Sequence, residues 1–340
     1  MITEYLRTAP ETLLVGQLRR DYILPLELPP SLDILGGNLA YAAAALASWG
    51  GKAGLLSRVA ADFPLDWLDR FEALGFFLEG VRPVSEPIPP LFFVEYGEGN
   101  KPSFDNPITH FAERQLPFPP ELIGYQPRQK YCSKVDYQAE SFRVTDMPRS
   151  YLEAGAAHIC PIDYISHKTL PSVLKGGMVH TVTMRACSCY MDPIFWEDIR
   201  GLITDLTAFM MTDIQALKLF QGRSMDLWEI ADHLANYGPE VILIQTRDET
   251  TYIYDRMRHK RWIIPAYRAK INDPTGMLDA FDGGFLAGLQ KTHDPLEAGL
   301  YGSISAAVAG EGSGPFFLLE CLPGLKEMRL DVLRQQIIEA

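Results

Sequence analysis

A chain of 340 residues can bury a large core, and one large α/β domain carrying an appendage is the first expectation. Hydrophobic residues at 47% and charged residues at 22% exclude long disordered stretches. A formal net charge of −12 makes the surface repel anions, which excludes nucleic acid as a partner unless basic residues cluster. The one basic run, Arg256, Arg258, Lys260 and Arg261, lies between two strand-like stretches and reads as a solvated hairpin tip.

In chain order, Met1 to Pro10 carries Glu4 and Arg7 without an apolar core, so no signal peptide is expected there. Leu13-Leu14-Val15 reads as a buried strand ending at Gly16. Leu39 to Trp49 is an Ala-rich helix stopped by Gly50-Gly51, and it is too short for a membrane span. Lys52 to Val59 reads as the next strand, and Trp67-Leu68, Phe71 and Leu74 recur at helical spacing up to Gly75.

Leu91 to Tyr96 is a run of β-formers closed by Gly97-Glu98-Gly99-Asn100, a hairpin pattern. From Pro83 to Pro148 prolines are dense and helical periodicity is poor, which predicts a peripheral sheet with long loops. Beyond it, strand-like runs at Ala157 to Cys160, Met178 to Thr183, Ala208 to Met211 and Val241 to Ile244 alternate with helical patterns at Trp196 to Leu206, Ile214 to Phe220 and Leu227 to Tyr237. Repeated βαβ units require a mostly parallel sheet with helices on both faces, and ligands bind such sheets at the carboxyl ends of the strands.

The five cysteines, Cys132, Cys160, Cys187, Cys189 and Cys321, are odd in number and scattered, which predicts free thiols in a reducing, cytoplasmic setting. Cys187 and Cys189 lack the partners of a zinc site, and the histidines show no paired metal spacing.

The most informative segment runs from Asn272 to Leu289: polar turn residues, then Gly276-Met277-Leu278-Asp279, then an apolar helix. Free backbone amides and the helix dipole at such a start favour an anion, and a carboxylate in the first turn can take a proton from an incoming hydroxyl. Asp279 as a helix-start residue and Asp279 as a base are equally compatible with this pattern. Gly283, Gly284 and Gly288 inside the helix each cost ~1 kcal/mol relative to Ala, which predicts close packing of a neighbouring helix.

This segment resembles the C-terminal signature of the ribokinase-like (PfkB) sugar-kinase family, Asp-Thr-x-Gly-Ala-Gly-Asp-Ala-Phe, at Asp273, Thr275, Gly276, Asp279, Ala280 and Phe281. Gly36-Gly37-Asn38 before the Ala-rich helix, with Leu55 to Asp62 after it, is similar to the family's N-terminal signature, and Gly16 to Asp21 to its first strand end. The resemblance implies a three-layer α/β/α sandwich with a mostly parallel central sheet and a small β-sheet lid from about 19–34 and 91–111, all within one domain over 1–340. It implies Asp279 as general base, the amides of Gly276, Met277 and Leu278 as an anion hole, Asp21, Gly37 and Asn38 as acceptor ligands, and Asp273 and Thr275 on the nucleotide side. ATP and Mg²⁺ would be the cofactors, the partner a small sugar or nucleoside, with a homodimer through the lid.

Four positions depart from that pattern. Leu278 replaces the second glycine of the phosphate loop, and Thr212-Asp213-Ile214-Gln215 stands where the family has Asn-x-x-Glu. Gln245 to Thr250 lacks the nucleotide-loop glycine, and Tyr41 replaces an Asn. Two functions stay open on these residues: an ATP-dependent phosphotransferase, or a non-catalytic relative that binds a small ligand.

Overall fold

The computed structural model describes residues 9–127 and 132–340, so most of the segment read as lacking a signal peptide, residues 1–8, lies outside it. The first half of the chain forms β1 (Thr12–Val15), β2 (Arg19–Leu24), β3 (Ser31–Gly36), α1 (Asn38–Ser48), β4 (Gly54–Ala60), α2 (Asp69–Ala73), β5 (Phe77–Val84), β6 (Leu91–Tyr96), β7 (Pro102–Ser103) and α3 (Pro107–Glu113). The second half forms β8 (Ala156–Ile159), α4 (Tyr164–Lys175), β9 (Thr181–Arg185), α5 (Ile199–Ile203), β10 (Ala208–Thr212), α6 (Asp213–Leu219), α7 (Leu227–Ala235) and β11 (Val241–Gln245). It closes with β12 (Thr251–Asp255), β13 (Lys260–Ile264), α8 (Met277–Thr292), α9 (Pro295–Glu311), α10 (Leu325–Arg334) and β14 (Ile338–Glu339).

The central sheet has the order β14-β13-β12-β11-β10-β9-β8-β1-β4-β5. It is parallel from β11 through β5 and antiparallel from β11 to β14. Side-chain alternation along each strand divides the core. Leu14, Met210 and Leu243 face the layer holding Leu39, Phe281, Ile304 and Leu330 of α1, α8, α9 and α10. Leu13, Phe209 and Ile242 face Leu170, Leu202, Leu219 and Ile230 of α4 to α7. The result is the three-layer α/β/α sandwich with a mostly parallel sheet.

A second sheet, β3-β2-β6-β7, is the lid. Ile23, Ile34, Phe92, Val94 and Tyr96 cluster on one face of it. On this side Tyr96 bonds through its hydroxyl to Thr275 at 3.0 Å, so the lid rests against the turn before α8. Tyr22, Leu24 and Phe93 on the other face are covered by Phe111 of α3 and by Leu122. That outer face is therefore closed by the same chain, which leaves the edges β3 and β7 for any pairing with a second copy.

The interior glycines of α8 behave as the sequence predicts. A Cβ on Gly283 would overlap the carbonyl oxygen of Ala42 in α1, one on Gly284 would overlap Ser305 of α9, and one on Gly288 would come within 2.8 Å of the Ala298 backbone. The helix is held between two neighbours at backbone contact.

Other expectations change. The pattern Trp196 to Leu206 forms only the short α5, and Met178 is exposed, with β9 beginning at Thr181. The sequence reading does not include α4, because Pro171 interrupts its pattern, nor α3, which sits in the proline-dense stretch. The cysteines are not all free: Cys132 and Cys189 are joined, with Cα atoms 5.3 Å apart, while Cys160, Cys187 and Cys321 are thiols. A separation of 57 residues gave no hint that the loop before β8 and the turn after β9 meet. No helix among the described residues is long and apolar enough to cross a membrane.

Candidate active site

The site forms where β1, β8 and β9 end and α1 and α8 begin. Gly36 and Gly37 make the tight passage from lid to α1. Gly37 has φ 91°, and a side chain on Gly36 would overlap the Asp21 carboxylate. Asn38 then ties two strand ends together, accepting the Gln17 amide at 2.7 Å and donating to the Pro161 carbonyl at 2.7 Å. Both ends of its side chain are thus engaged in building the site.

Asp21 is fully buried on β2. Its Oδ1 accepts a bond from Arg19 Nε at 2.9 Å, and its Oδ2 has no hydrogen-bond partner among the described residues. Burial pushes its pKa up, opposed by Arg19 and by the Gly37 amide. The Arg19 guanidinium lies over the Phe92 ring at 3.8 Å and is one-third exposed. Arg19 was not singled out from sequence, although its spacing of two from Asp21 on a strand puts both on one face.

At the start of α8, Gly276 has φ 75° and lies against the Tyr41 ring, leaving no room for a side chain. Tyr41, which departs from the family pattern, thus fills the floor beneath the anion loop. Asp273 shapes the preceding turn: its Oδ1 accepts the Thr275 amide at 2.9 Å and its Oδ2 accepts Ser313 Oγ at 2.5 Å. The Met277 amide bonds the Pro274 carbonyl at 3.3 Å, and Met277 is buried. The amides of Gly276, Leu278 and Asp279 have no acceptor among the described residues, so of the expected Gly276 to Leu278 set the Met277 amide is the one already engaged. The Leu278 side chain is 41% exposed.

Asp279 keeps some access to solvent, yet enough protein surrounds it that burial pushes its pKa up to about 7. Asp282 adds to the rise and Arg185 and Arg19 oppose it, with a smaller contribution from Asp21. Asp21 on the lid and Asp279 on α8 therefore share one electrostatic environment despite their separation in sequence. A carboxyl poised near neutrality is suited to accept a proton at physiological pH.

The expected metal and nucleotide positions are differently occupied. Gln215 forms a capping box with Thr212 and donates to Ser188 Oγ at 2.9 Å, so it holds the start of α6. Among the described residues no group of three or more His, Cys, Asp or Glu could hold a metal ion. Gln245 to Thr250 is a tight hairpin closed by Thr246 N–H to the Thr250 carbonyl at 2.9 Å, with Asp248 bonded to Thr246. A cavity of about 390 Å³ adjoins the site, bounded by Asp33 and Leu35 of the lid, Trp67, Ser313, Phe316 and Phe317.

No family model matches the chain. It is 25% identical over 269 residues to the cytidine kinase of Thermococcus kodakarensis, covering 77% of this chain and 82% of that one. Its fold is similar to the Burkholderia thailandensis nucleoside kinase in complex with inosine, with a TM-score of 0.65, 19% identity, and 94% and 96% of the two chains covered. It is also similar to the Xylella fastidiosa fructokinase with bound ATP, with a TM-score of 0.67, 18% identity, and coverage of 96% and 99%. With the lid, the two-glycine turn and Asp279 at the start of α8 all in place, the chain has the ribokinase-like fold and is similar to the kinases that share it.

Proposed function

We propose that the protein transfers the γ-phosphoryl group of ATP to a hydroxyl of a nucleoside or related sugar. The observation that carries this reading is the convergence of Asp279, at the open N-terminus of α8, with the buried Asp21 of the lid. The relatives that act on nucleosides favour that acceptor class over a simple sugar.

Asp21 Oδ2 accepts a hydroxyl of the bound acceptor, which supplies the bond it lacks. Asp279 takes the proton of the reacting hydroxyl as its oxygen attacks the γ-phosphorus, and the bond to the β-phosphate oxygen breaks to release ADP. The Gly276, Leu278 and Asp279 amides and the helix dipole receive charge on the transferring group. Magnesium bound with the nucleotide would neutralise phosphate charge; the side chains present fit a metal carried in on ATP better than one held by the chain. A homodimer through the lid would pair along β3 or β7, the edges of the lid sheet.

The hairpin Gln245 to Thr250, glycine-free and carrying Asp248 and Glu249 where phosphates are expected, favours a second reading in which the acceptor binds but no phosphoryl group is transferred. A thermal-shift panel of nucleosides, sugars and nucleotides separates the two. A ligand at ~100 times its dissociation constant stabilises by roughly 2.7 kcal/mol. Shifts with a nucleoside and with ATP support the kinase; shifts with acceptors and never with nucleotides support the binding protein. Leu278→Gly opens the approach to the α8 amides and is expected to lower the KM for ATP while leaving the KM for the acceptor unchanged, as read from initial rates.

A further inference from the structure

Beneath Asp279 the core holds a polar cluster that neither acceptor nor nucleotide binding uses. Asp282 lies one turn further along α8, on the same side of the helix as Asp279, and is fully buried. Its Oδ2 and Oδ1 accept bonds from Arg185 Nε and Nη2, each at 2.5 Å, and His158 Nε2 lies 3.4 Å from Oδ2. Arg185 Nη2 also donates to Gln245 Oε1 at 2.5 Å, and His158 Nδ1 pairs with Thr183 Oγ1 at 2.9 Å. These side chains come from β8, β9, β11 and α8, and all are buried.

An apolar set of the same volume would stabilise this part of the core as well or better, so stability does not account for the cluster. Its position offers another reason. Arg185 Nη1 is buried without a partner among the described residues, and the charges of both Arg185 and Asp282 act on Asp279 in opposite senses. Burial pushes the pKa of Asp282 up, but Arg185 and His158 more than offset this, so Asp282 is held ionised. The other charged or titratable groups acting with Asp279 are Arg19 and Asp21 from the lid and the Cys160 thiol just after β8.

We propose that Asp282 and Arg185, braced by His158 and Gln245, are positioning residues for Asp279, fixing the first turns of α8 against the sheet ends and setting the electric field under the base. The inference rests on the kinase reading for its effect on turnover, but not for its effect on the carboxyl itself.

The test uses two variants of the full chain. Asp282→Asn removes the like charge that acts most strongly on Asp279. The double variant Arg185→Met with Asp282→Leu removes the cluster without orphaning a buried charge, which keeps the experiment decisive if the single variant does not fold. The titration of Asp279 is followed by carboxyl-carbon NMR, its signal identified as the one lost in Asp279→Asn. The expected result is a midpoint lowered by about one pH unit or more in Asp282→Asn, the scale on which a neighbouring charge acts. In the double variant kcat is expected to fall about tenfold or more, with acceptor KM and thermal midpoint unchanged, because a small misplacement of the base is costly. Wild-type kcat in a folded double variant, or an unmoved Asp279 midpoint in a folded Asp282→Asn, would overturn the proposal. If wild type shows no turnover at all yet the midpoint moves in Asp282→Asn, the kinase reading fails and the field assignment stands.

Discussion

Asp279→Asn is expected to lower turnover roughly 10²- to 10⁴-fold, the loss typical of a positioned general base, with acceptor binding retained. Asn keeps the size of the side chain and its place in the first turn of α8, so the change in helix-start energy is limited to a few tenths to ~1 kcal/mol. The pH dependence gives an independent check. Asp279 in the folded protein has a pKa raised from 3.8 to about 7 by burial and by Asp282. The base must be ionised, so kcat/KM is expected to fall below about pH 7, tenfold per unit, and to level off above it. The same shift has a sign for stability. The folded state binds this proton more tightly than the unfolded chain, so the carboxyl costs stability progressively as pH rises from 3.8 to about 7, and the cost is complete above that. Asp279→Asn should therefore be at least as stable as wild type at pH 8, measured by urea unfolding. A variant that keeps wild-type turnover would remove the base assignment.

The largest loss of stability is expected from Gly283→Ala. Its Cβ would overlap the Ala42 carbonyl, a backbone atom of α1 that can move only with the helix, so overpacking should cost about 1–3 kcal/mol or more. Because Asp279 lies one turn away on the same helix, turnover should fall with it. Gly201→Ala is the control: Gly201 sits exposed in α5 with nothing within 4 Å of its Cβ position, and the change should stabilise by about 0.4–1 kcal/mol. Urea midpoints moving in opposite directions for the two glycines would confirm that α8 is held at backbone contact. Equal midpoints would contradict it.

Much of this arrangement was legible where local pattern and tertiary demand coincide. Polar turn residues before an apolar helix located Asp279, interior glycines announced that a neighbouring helix packs closely on α8, and the Leu91 to Tyr96 hairpin marked the lid. What stayed hidden depends on residues distant in the chain. Arg185 and Asp282 are 97 positions apart, and Arg185 and Gln245 are 60 apart. Each reads alone as a polar residue at the end or on the face of an apolar element, which is the one signal that could have flagged them. The Tyr41 contact beneath Gly276 was invisible for the same reason, since a departure from the family pattern shows a loss without showing what fills the space. Phe111 closing the lid lies in a stretch where prolines mask a short helix.

Transfer of labelled γ-phosphoryl from ATP to a panel of nucleosides, with sugars alongside, is followed at pH 8, where Asp279 is ionised. Wild type is expected to form a phosphorylated nucleoside, reduced roughly 10²-fold or more by Asp279→Asn. No phosphorylated product with any acceptor, in a protein that still binds nucleosides, would contradict it.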